Sequence, residues 1–390
     1  MGARHILFVS VPAWGHTYPV LPGLAELVRR GHRVSCLASS GFADAVAGVA
    51  DRVAYDSPMD STRTSVELSD MSTILPLMLE ETRASFAALE EVVRTDRPDV
   101  IVSDVLAMSG WVLGQLFHLP LVRTWPVFAS NSDFSLHQDY GSRADTPESM
   151  SSFFGELAAF LTEVGLAEVS PQEFFESEAE RNIALYPRRI QPRGDTFGPR
   201  FTFVTPCIRP PERSPDLDWL RRAAPLVAIS LGTVFNEKVD FFRNCIDGVE
   251  QLGWHAAAAI GGKIRPRDVG SVSDRVLLRP TLPMIDTLGC ACVLVSHGGL
   301  TSTLEALAHE VPVLIAPQIG EQRAVADRVE ALGLGVRLRE PFSAQDLAEQ
   351  VRAVTNDTGM ARRLAEFRPA LRSRRSGDEF ADAVEDAFAP

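Results

Sequence analysis

The chain has 390 residues, of which 45% are hydrophobic and 23% charged, and its net charge is −13. This length exceeds one ordinary core and predicts two domains of a soluble globular protein. An acidic balance without any basic run argues against a nucleic-acid surface, and no apolar stretch reaches membrane-spanning length.

The N-terminus and the cysteines indicate the cell compartment. Residues 1–10 enter a strand pattern directly, without the charged and then apolar plan of a signal peptide. Cys290 and Cys292 could form a metal or redox pair, but no further Cys or His stands at ligand spacing, so buried free thiols are favoured. We therefore expect a reduced, cytoplasmic protein with no nucleic-acid or membrane partner. The sequence leaves monomer and homodimer open.

The first half of the chain alternates strand and helix patterns. Apolar runs predict strands at residues 5–11, 33–38, 99–104, 119–124 and 201–204. Helical periodicity covers residues 21–30, 73–94 and 150–180. The β-α-β order with short connections predicts a parallel sheet.

A proline-rich segment separates the two halves, with four prolines in the ten residues 206–215. It predicts a stiff connector, after which the alternation restarts. Strands are expected at residues 225–231, 254–260, 276–278, 292–296 and 311–316, and helices at 240–252, from about 301, and through the tail 343–390.

This organisation predicts an α/β protein with two doubly wound, Rossmann-like domains facing a cleft. We expect an N-terminal domain over 1–206, a linker over 207–222 and a C-terminal domain over 223–370. The final helix, 371–390, is expected to pack back toward the N-terminal domain.

A glycine turn and a small-polar cluster follow the predicted strand 292–296. The turn consists of His297, Gly298 and Gly299, and the cluster contains Thr301 and Ser302. The glycines let a diphosphate approach the backbone, and a helix that begins near Thr301 offers N–H groups and a positive dipole end. Taken singly, a His-Gly-Gly is usually only a turn, and Ser or Thr at a helix start is usually an N-cap.

Further polar side chains stand at helix and strand ends of the same half. Thr233 closely follows the predicted strand 225–231 and can donate to a phosphate oxygen. Glu305, eight residues after His297, can accept from two ribose hydroxyls. Glu321 and Gln322 follow the strand 311–316 and suit sugar hydroxyls.

The whole block resembles the donor-binding signature of nucleotide-sugar glycosyltransferases of the GT-B fold, especially the bacterial macrolide and natural-product branch. The family pattern has Glu eight residues after His, and an acidic–Gln pair twenty-four and twenty-five residues after it. His297, Glu305, Glu321 and Gln322 keep these offsets. The resemblance extends over nearly the whole chain. It implies a nucleotide-sugar donor, with the N-terminal domain binding the acceptor.

One departure from the family concerns the base of the donor. Where plant members carry a Trp that stacks on uracil, this chain has Thr281, followed by Leu282. Base recognition is then expected to rest on the backbone of Leu282 and on apolar contact, which leaves uridine and thymidine open.

A histidine in the first half suits the role of a general base. His16 lies in a glycine-flanked turn after the first strand, and its ordinary pKa is near working pH. Asp104, at the end of the strand 99–104, can orient the imidazole. The family resemblance implies these same two roles.

The expected reaction is a direct, inverting sugar transfer without a metal or other cofactor. His16 takes the proton of an acceptor hydroxyl, whose oxygen attacks the anomeric carbon, and the nucleoside diphosphate leaves. A Mg²⁺ site would require an Asp-x-Asp pair in a suitable turn. Asp216 and Asp218 have this spacing but lie in the connector, so no Mg²⁺ site is indicated.

The N-terminal half also carries Met and aromatic residues near irregular segments. Most such residues belong to cores, but some can line a deformable apolar pocket. The candidates for a lipophilic acceptor, such as a polyketide or another aromatic or macrocyclic metabolite, are Met71, Met78, Met108, Trp125 and Phe128.

Three other functions compete with this interpretation. An epimerase or hydrolase of the same architecture would convert the donor without an acceptor. A non-catalytic nucleotide-binding partner could have discarded the His and Glu-Gln residues, whose presence argues against it. A dehydrogenase is disfavoured because no Gly-x-Gly-x-x-Gly follows the first strand.

Overall fold

The chain forms two compact units in a computed structural model. Residues 2–62, 71–140, 147–171, 179–208, 211, 216–232, 236–372 and 376–388 are described. The first unit comprises Met1–Ser135, Gly141–Cys207 and Arg374–Pro390, and the second comprises Leu136–Tyr140 and Ile208–Ser373. No helix among the described residues is long and apolar enough to cross a membrane.

The first unit is built on a seven-stranded sheet of order β3-β2-β1-β4-β5-β6-β7, in which every pairing is parallel. Its strands are β1 (His5–Val9), β2 (Arg33–Ala38), β3 (Asp51–Ala54), β4 (Val100–Asp104), β5 (Leu121–Trp125), β6 (Arg181–Ala184) and β7 (Phe201–Phe203). Its helices are Trp14–Thr17, Leu21–Arg29, Ala43–Val46, Pro58–Thr62, Met71–Thr95, Met108–Phe117, Pro147–Glu163 and Ser376–Glu385.

Both faces of this sheet are covered, which explains why its central strands read as continuous apolar runs. Ile6 and Phe8 point to a core that includes side chains of the helices Leu21–Arg29 and Ser376–Glu385. Leu7 and Val9 point to the opposite core, against the long helix Met71–Thr95.

The C-terminal helix Ser376–Glu385 completes the first unit. Phe380 is 1% exposed, and its ring lies so close to Gly23 that a Cβ there would be 2.2 Å from the ring. Arg30 donates to Asp382 and to Glu385 at 2.6 Å each. The apolar contact dominates the docking, because partly exposed ion pairs contribute little.

The second unit has a six-stranded parallel sheet of order β10-β9-β8-β11-β12-β13. Its strands are β8 (Leu226–Ser230), β9 (His255–Ala259), β10 (Val276–Arg279), β11 (Val293–Ser296), β12 (Val313–Ile315) and β13 (Gly335–Arg337). Its helices are Leu136–Tyr140, Leu217–Arg222, Val239–Gln251, Pro266–Val269, Met284–Leu288, Leu300–Ala308, Gly320–Leu332, Ala344–Asn356 and Thr358–Phe367.

The predicted strands are all present, with ends shifted by one or two residues, but β3, β6 and β13 were not predicted. β3 is a short edge strand with mostly exposed side chains, and the other two have no long apolar run. The helix predicted over 150–180 is wrong over residues 164–170, because Pro147–Glu163 ends earlier, and its residues 172–178 lie outside the described residues. Part of the expected linker 207–222 is helical, at Leu217–Arg222.

We expect Phe380→Ala to lower the free energy of unfolding by about 3–5 kcal/mol, because it leaves a cavity between two helices. Urea denaturation followed by circular dichroism measures this change. Val28→Ala is the matched control on the helix Leu21–Arg29, because Val28 is 41% exposed and should shift stability by less than about 0.5 kcal/mol. Equal stability of Phe380→Ala and wild type would show that the C-terminal helix does not pack as described.

Candidate active site

A histidine and an aspartate meet at the end of the first sheet. His16 lies in the short helix Trp14–Thr17 directly after β1, and Asp104 is the last residue of β4. The His16 Nδ1 lies 2.9 Å from Asp104 Oδ2. The Asp104 side chain is fully buried, whereas that of His16 is 14% exposed. The structure therefore brings together the two residues that the sequence pairs.

Sheet register explains why a carboxylate stands at this place. Val100 and Val102 of β4 lie in the core beside Leu21–Arg29, and Asp104 is the next residue on that face. On the neighbouring strand its partner is Thr124, which follows the core residue Val122. The apolar face of the sheet thus becomes polar at its last row.

Both oxygens of the Asp104 carboxylate are bonded. Oδ2 faces the His16 ring, and Oδ1 accepts from the Leu106 N–H at 2.8 Å. Because the carboxylate accepts from Nδ1, that nitrogen carries the proton and the lone pair lies on Nε2. A neutral His16 in this tautomer can act as a base through Nε2, with Asp104 stabilising the imidazolium that forms.

Aromatic packing holds the turn that carries His16. The Trp14 ring stacks on Tyr18 with centroids 4.8 Å apart and lies 4.2 Å from Phe42. Phe42 is 1% exposed and follows β2. The imidazole therefore sits on a turn that is anchored to the next loop of the same unit.

In the second unit, His297 directly follows β11 and is enclosed by glycines. A Cβ on Gly232 would lie 2.7 Å from the His297 Cε1, and one on Gly299 would lie 2.7 Å from its Nε2. Gly298 has φ +90°, and a Cβ there would meet Ile315 at 2.5 Å. The turn can therefore form only with glycine at these positions. The close approach of Gly232 to the ring was not predicted from the sequence.

The environment keeps the His297 imidazole neutral. Burial lowers its pKa from 6.5 to about 4, and the Ser230 carbonyl only partly offsets this shift. Its Nδ1 is buried and has no hydrogen-bond partner among the described residues. Because the Ser230 carbonyl accepts the single N–H of the neutral ring, the unpaired Nδ1 can accept one hydrogen bond but cannot donate one.

The helix expected near Thr301 is Leu300–Ala308, with Gly299 as its N-cap. No side chain caps it, so the simple N-cap explanation for Thr301 and Ser302 is wrong. Both are half-buried in its first turn. Glu305 is on the same helix but only 1% exposed, deeper than its expected contact with ribose suggests.

The pair Glu321 and Gln322 occupies the first turn of Gly320–Leu332, which follows β12. Glu321 is half-buried. Gln322 is 5% exposed, and its Oε1 accepts from the Gln318 N–H at 2.8 Å, which fixes the plane of its amide. The helices Leu300–Ala308 and Gly320–Leu332 thus begin at the carboxyl ends of adjacent parallel strands, β11 and β12.

Other expected donor residues have different surroundings. Thr281 is exposed, and Leu282 is half-buried against the core residues Leu220 and Leu226. Thr233 lies outside the described residues. Among the described residues, no three His, Cys, Asp or Glu side chains are grouped as metal ligands would be. The roles of Thr281, Leu282 and Thr233 remain predictions.

Most of the expected acceptor residues are packed in the first unit. Trp125 is 8% exposed and donates from Nε1 to Asn182 at 3.0 Å, while Phe128 is fully buried. Met108 is 3% exposed, and Met78 is partly buried beside the same core. The side chain of Met71 lies outside the described residues. An acceptor role for these five stays a prediction, and Met78 is the most accessible of the four that are described.

Sequence and structure comparisons agree with one another. A family model described as "Erythromycin biosynthesis protein CIII-like, C-terminal domain" matches residues 247–386. The chain is 30% identical to the NDP-glycosyltransferase YjiC of Bacillus subtilis (strain 168), over 100% of this chain and 98% of that one. It is 31% identical to demethyllactenocin mycarosyltransferase of Streptomyces fradiae, over 99% and 87% of the two chains.

Two solved structures are similar over their whole length. The calicheamicin glycosyltransferase CalG4 has a TM-score of 0.82 and 31% identity, with 100% of both chains covered. The glycotransferase of kitacinnamycin has a TM-score of 0.83 and 27% identity, with 99% of both chains covered.

The lowered pKa of His297 predicts a pH-dependent stability. Between pH 6.5 and about 4 the His297 ring is protonated in the unfolded chain but neutral in the folded chain. The free energy of unfolding therefore decreases as the pH falls through this range, and His297 causes no loss above pH 6.5. The full loss of stability, reached below the folded pKa of about 4, is on the order of 3 kcal/mol. Urea denaturation from pH 7.5 to 4.5 should show a steeper loss of stability for wild type than for His297→Gln. Parallel curves would contradict the enclosed, neutral imidazole.

Proposed function

We propose that this chain, which belongs to the family of natural-product glycosyltransferases, moves a sugar from a UDP- or dTDP-linked donor to a hydroxyl of a lipophilic acceptor. The chain is an enzyme of the glycosyltransferase class, and its two parallel-sheet α/β units have the GT-B fold. The donor, the acceptor and the base are the proposed part. The observation that carries the proposal is the 2.9 Å contact between His16 and the buried Asp104.

His16 is proposed as the general base. Its Nε2 takes the proton of the acceptor hydroxyl while that oxygen forms a bond to the anomeric carbon. The bond from this carbon to the donor phosphate oxygen breaks, and the nucleoside diphosphate leaves with the bonding electrons. One such displacement inverts the anomeric configuration. The Asp104 carboxylate stabilises the imidazolium, which is the role that its burial and its fixed geometry suit.

The second unit is proposed to hold the donor. The positive end of Leu300–Ala308 and the His297 turn suit the diphosphate, with Thr233, Thr301 and Ser302 as further donors. Glu305 is assigned to the ribose. Glu321 and Gln322 are assigned to the sugar, because carboxylate and amide groups pair with its hydroxyls.

Names of the relatives support the two substrates. YjiC is named an NDP-glycosyltransferase, which supports a nucleoside-diphosphate donor. The Streptomyces fradiae relative is named for demethyllactenocin and mycarosyl transfer, which supports a natural product as acceptor. No metal is assigned a role in the proposed reaction, because the N–H groups at the positive end of Leu300–Ala308 can stabilise the charge of the leaving group.

Removal of the base should abolish most of the turnover. We expect His16→Ala to lower kcat by about 10²–10⁴, the usual contribution of a general base. The Kd of UDP-glucose or dTDP-glucose, measured by calorimetry, should stay within about twofold, because no donor contact is lost. Product formation is followed by mass spectrometry with a panel of lipophilic acceptors. A near-normal kcat would overturn the base assignment, and release of free sugar without any acceptor product would favour a hydrolase.

The aspartate is tested with a matched pair, Asp104 as the last residue of β4 and Asp99 directly before its first residue. Asp104→Asn cannot stabilise the imidazolium, so kcat should fall by at least about 10². Asp99→Asn is the control at the opposite end of β4, where the carboxylate accepts from the His5 N–H at 2.7 Å. It should keep normal kcat, and equal losses in both variants would indicate a purely structural role for Asp104.

Glu305→Gln tests the ribose assignment. A hydrogen bond to a charged group contributes about 1.5–3 kcal/mol, so the Kd of the nucleoside diphosphate should rise at least about tenfold. Calorimetry with UDP and with 2′,3′-dideoxy-UDP isolates the two ribose hydroxyls, because the deoxyribose of a thymidine nucleotide has only one of them. Wild type should prefer the nucleotide with both hydroxyls, and Glu305→Gln should lose that preference. The exposed Glu330→Gln is the control, and a preference that survives in Glu305→Gln would exclude the ribose role.

A further inference from the structure

A five-residue helix, Leu136–Tyr140, belongs to the second unit although the chain on both sides of it belongs to the first. It packs against the helix Gly320–Leu332. That helix carries Glu321 and Gln322 in its first turn. A short piece of the N-terminal sequence is therefore part of the framework of the proposed sugar-binding pair.

The contact is formed at the start of the long helix. Arg323 Nη2 donates to the Tyr140 carbonyl at 2.8 Å. A Cβ on Gly320 would lie 2.2 Å from the same carbonyl oxygen and 3.5 Å from the Arg323 Nη2. Only glycine lets the two backbones approach so closely, and a charged donor to a carbonyl is a comparatively strong hydrogen bond.

A second attachment lies one turn further along the helix. Burial raises the pKa of the Tyr140 hydroxyl, and the charge and hydrogen bond of Asp327 raise it further. Asp327 also pairs with Arg337 of β13 at 3.0 Å. Tyr140 is therefore tied to Gly320–Leu332 through its backbone at residue 323 and through its side chain at residue 327.

We infer that Tyr140 and Arg323 are positioning residues that hold Glu321 and Gln322 toward the sugar of the donor. The inference rests on the proposed assignment of that pair to the sugar. Glu321 and Gln322 lie between Gly320 and Arg323, which both approach the Tyr140 carbonyl. A shift of this turn therefore displaces the side chains of Glu321 and Gln322 together. Tyr140 and Arg323 need not touch the donor themselves.

The inference predicts an effect confined to the sugar part of the donor. Loss of the attachment should weaken binding of a nucleotide-sugar but not of the nucleoside diphosphate alone, because the diphosphate and nucleoside are assigned to other elements. Small displacements of positioning groups have large effects, so we expect about a tenfold loss in sugar-dependent affinity.

The main test compares Arg323→Gln with wild type by calorimetry, using UDP, UDP-glucose, dTDP and dTDP-glucose as ligands. In the variant the Kd of each nucleoside diphosphate should stay within about twofold, and the Kd of the preferred nucleotide-sugar should rise about tenfold. Arg323→Lys keeps a cationic donor and should recover part of the affinity. KM for the donor should rise more than kcat falls.

Arg363→Gln is the matched control. Arg363 donates from Nε to the Gly333 carbonyl at 2.8 Å, at the opposite end of the same helix. This variant also removes an arginine–carbonyl bond but leaves the first turn attached, so nucleotide-sugar affinity should be normal. Gly320→Ala provides an independent perturbation of the contact, and Gly262→Ala is its control because a Cβ on Gly262 meets no atom within 4 Å.

The outcomes separate this inference from the proposed function. Equal weakening of nucleotide and nucleotide-sugar in Arg323→Gln and Gly320→Ala, or no weakening of either, would overturn the inference alone. A wild-type chain that binds UDP-glucose no better than UDP, and dTDP-glucose no better than dTDP, would overturn the sugar assignment as well. Failure of wild type to bind any of the four ligands would overturn the proposed donor class.

Discussion

The buried carboxylate of Asp104 is the constraint from which the first unit is best understood. A charged group with no solvent contact is tolerated only when its oxygens are bonded, and here an imidazole and a backbone N–H take one oxygen each. The N–H belongs to the turn that leaves β4, and the imidazole belongs to the turn that leaves β1. One side chain thus links two loops of a parallel sheet, and it sets the tautomer that the proposed chemistry needs.

Two histidines, one in each unit, have opposite environments. The Nδ1 of His16 is bonded to the Asp104 carboxylate, whose negative charge stabilises the imidazolium form of the ring. His297 is enclosed by glycines before a helix N-terminus, and desolvation keeps it neutral. A neutral ring adds no charge beside the positive helix end, and its single N–H donates to the Ser230 carbonyl. Residues of the same type thus stand beside a carboxylate in one unit and in an enclosed, uncharged turn in the other.

Much of this arrangement could be predicted from the sequence, because apolar runs and glycine turns carry local information. The runs at 5–11, 99–104 and 292–296 gave correct strands, and the His-to-Asp contact followed from the rule that parallel strands end at one sheet edge. β3 and β6 could not be predicted, since their exposed or polar residues are held by pairing to neighbours distant in sequence. For the same reason, nothing in the local pattern of residues 136–140 indicated that they pack on a helix nearly two hundred residues later.

The chain passes from one unit to the other four times, after Ser135, Tyr140, Cys207 and Ser373. Neither unit is therefore a contiguous stretch that could be excised or exchanged as a cassette. A chimeric enzyme joined only at the proline-rich segment would combine a foreign C-terminal helix with the native Gly23 surface, and a foreign Gly320 surface with the native Leu136–Tyr140. Exchange of whole units between such chains consequently requires that both short segments travel with the unit on which they pack.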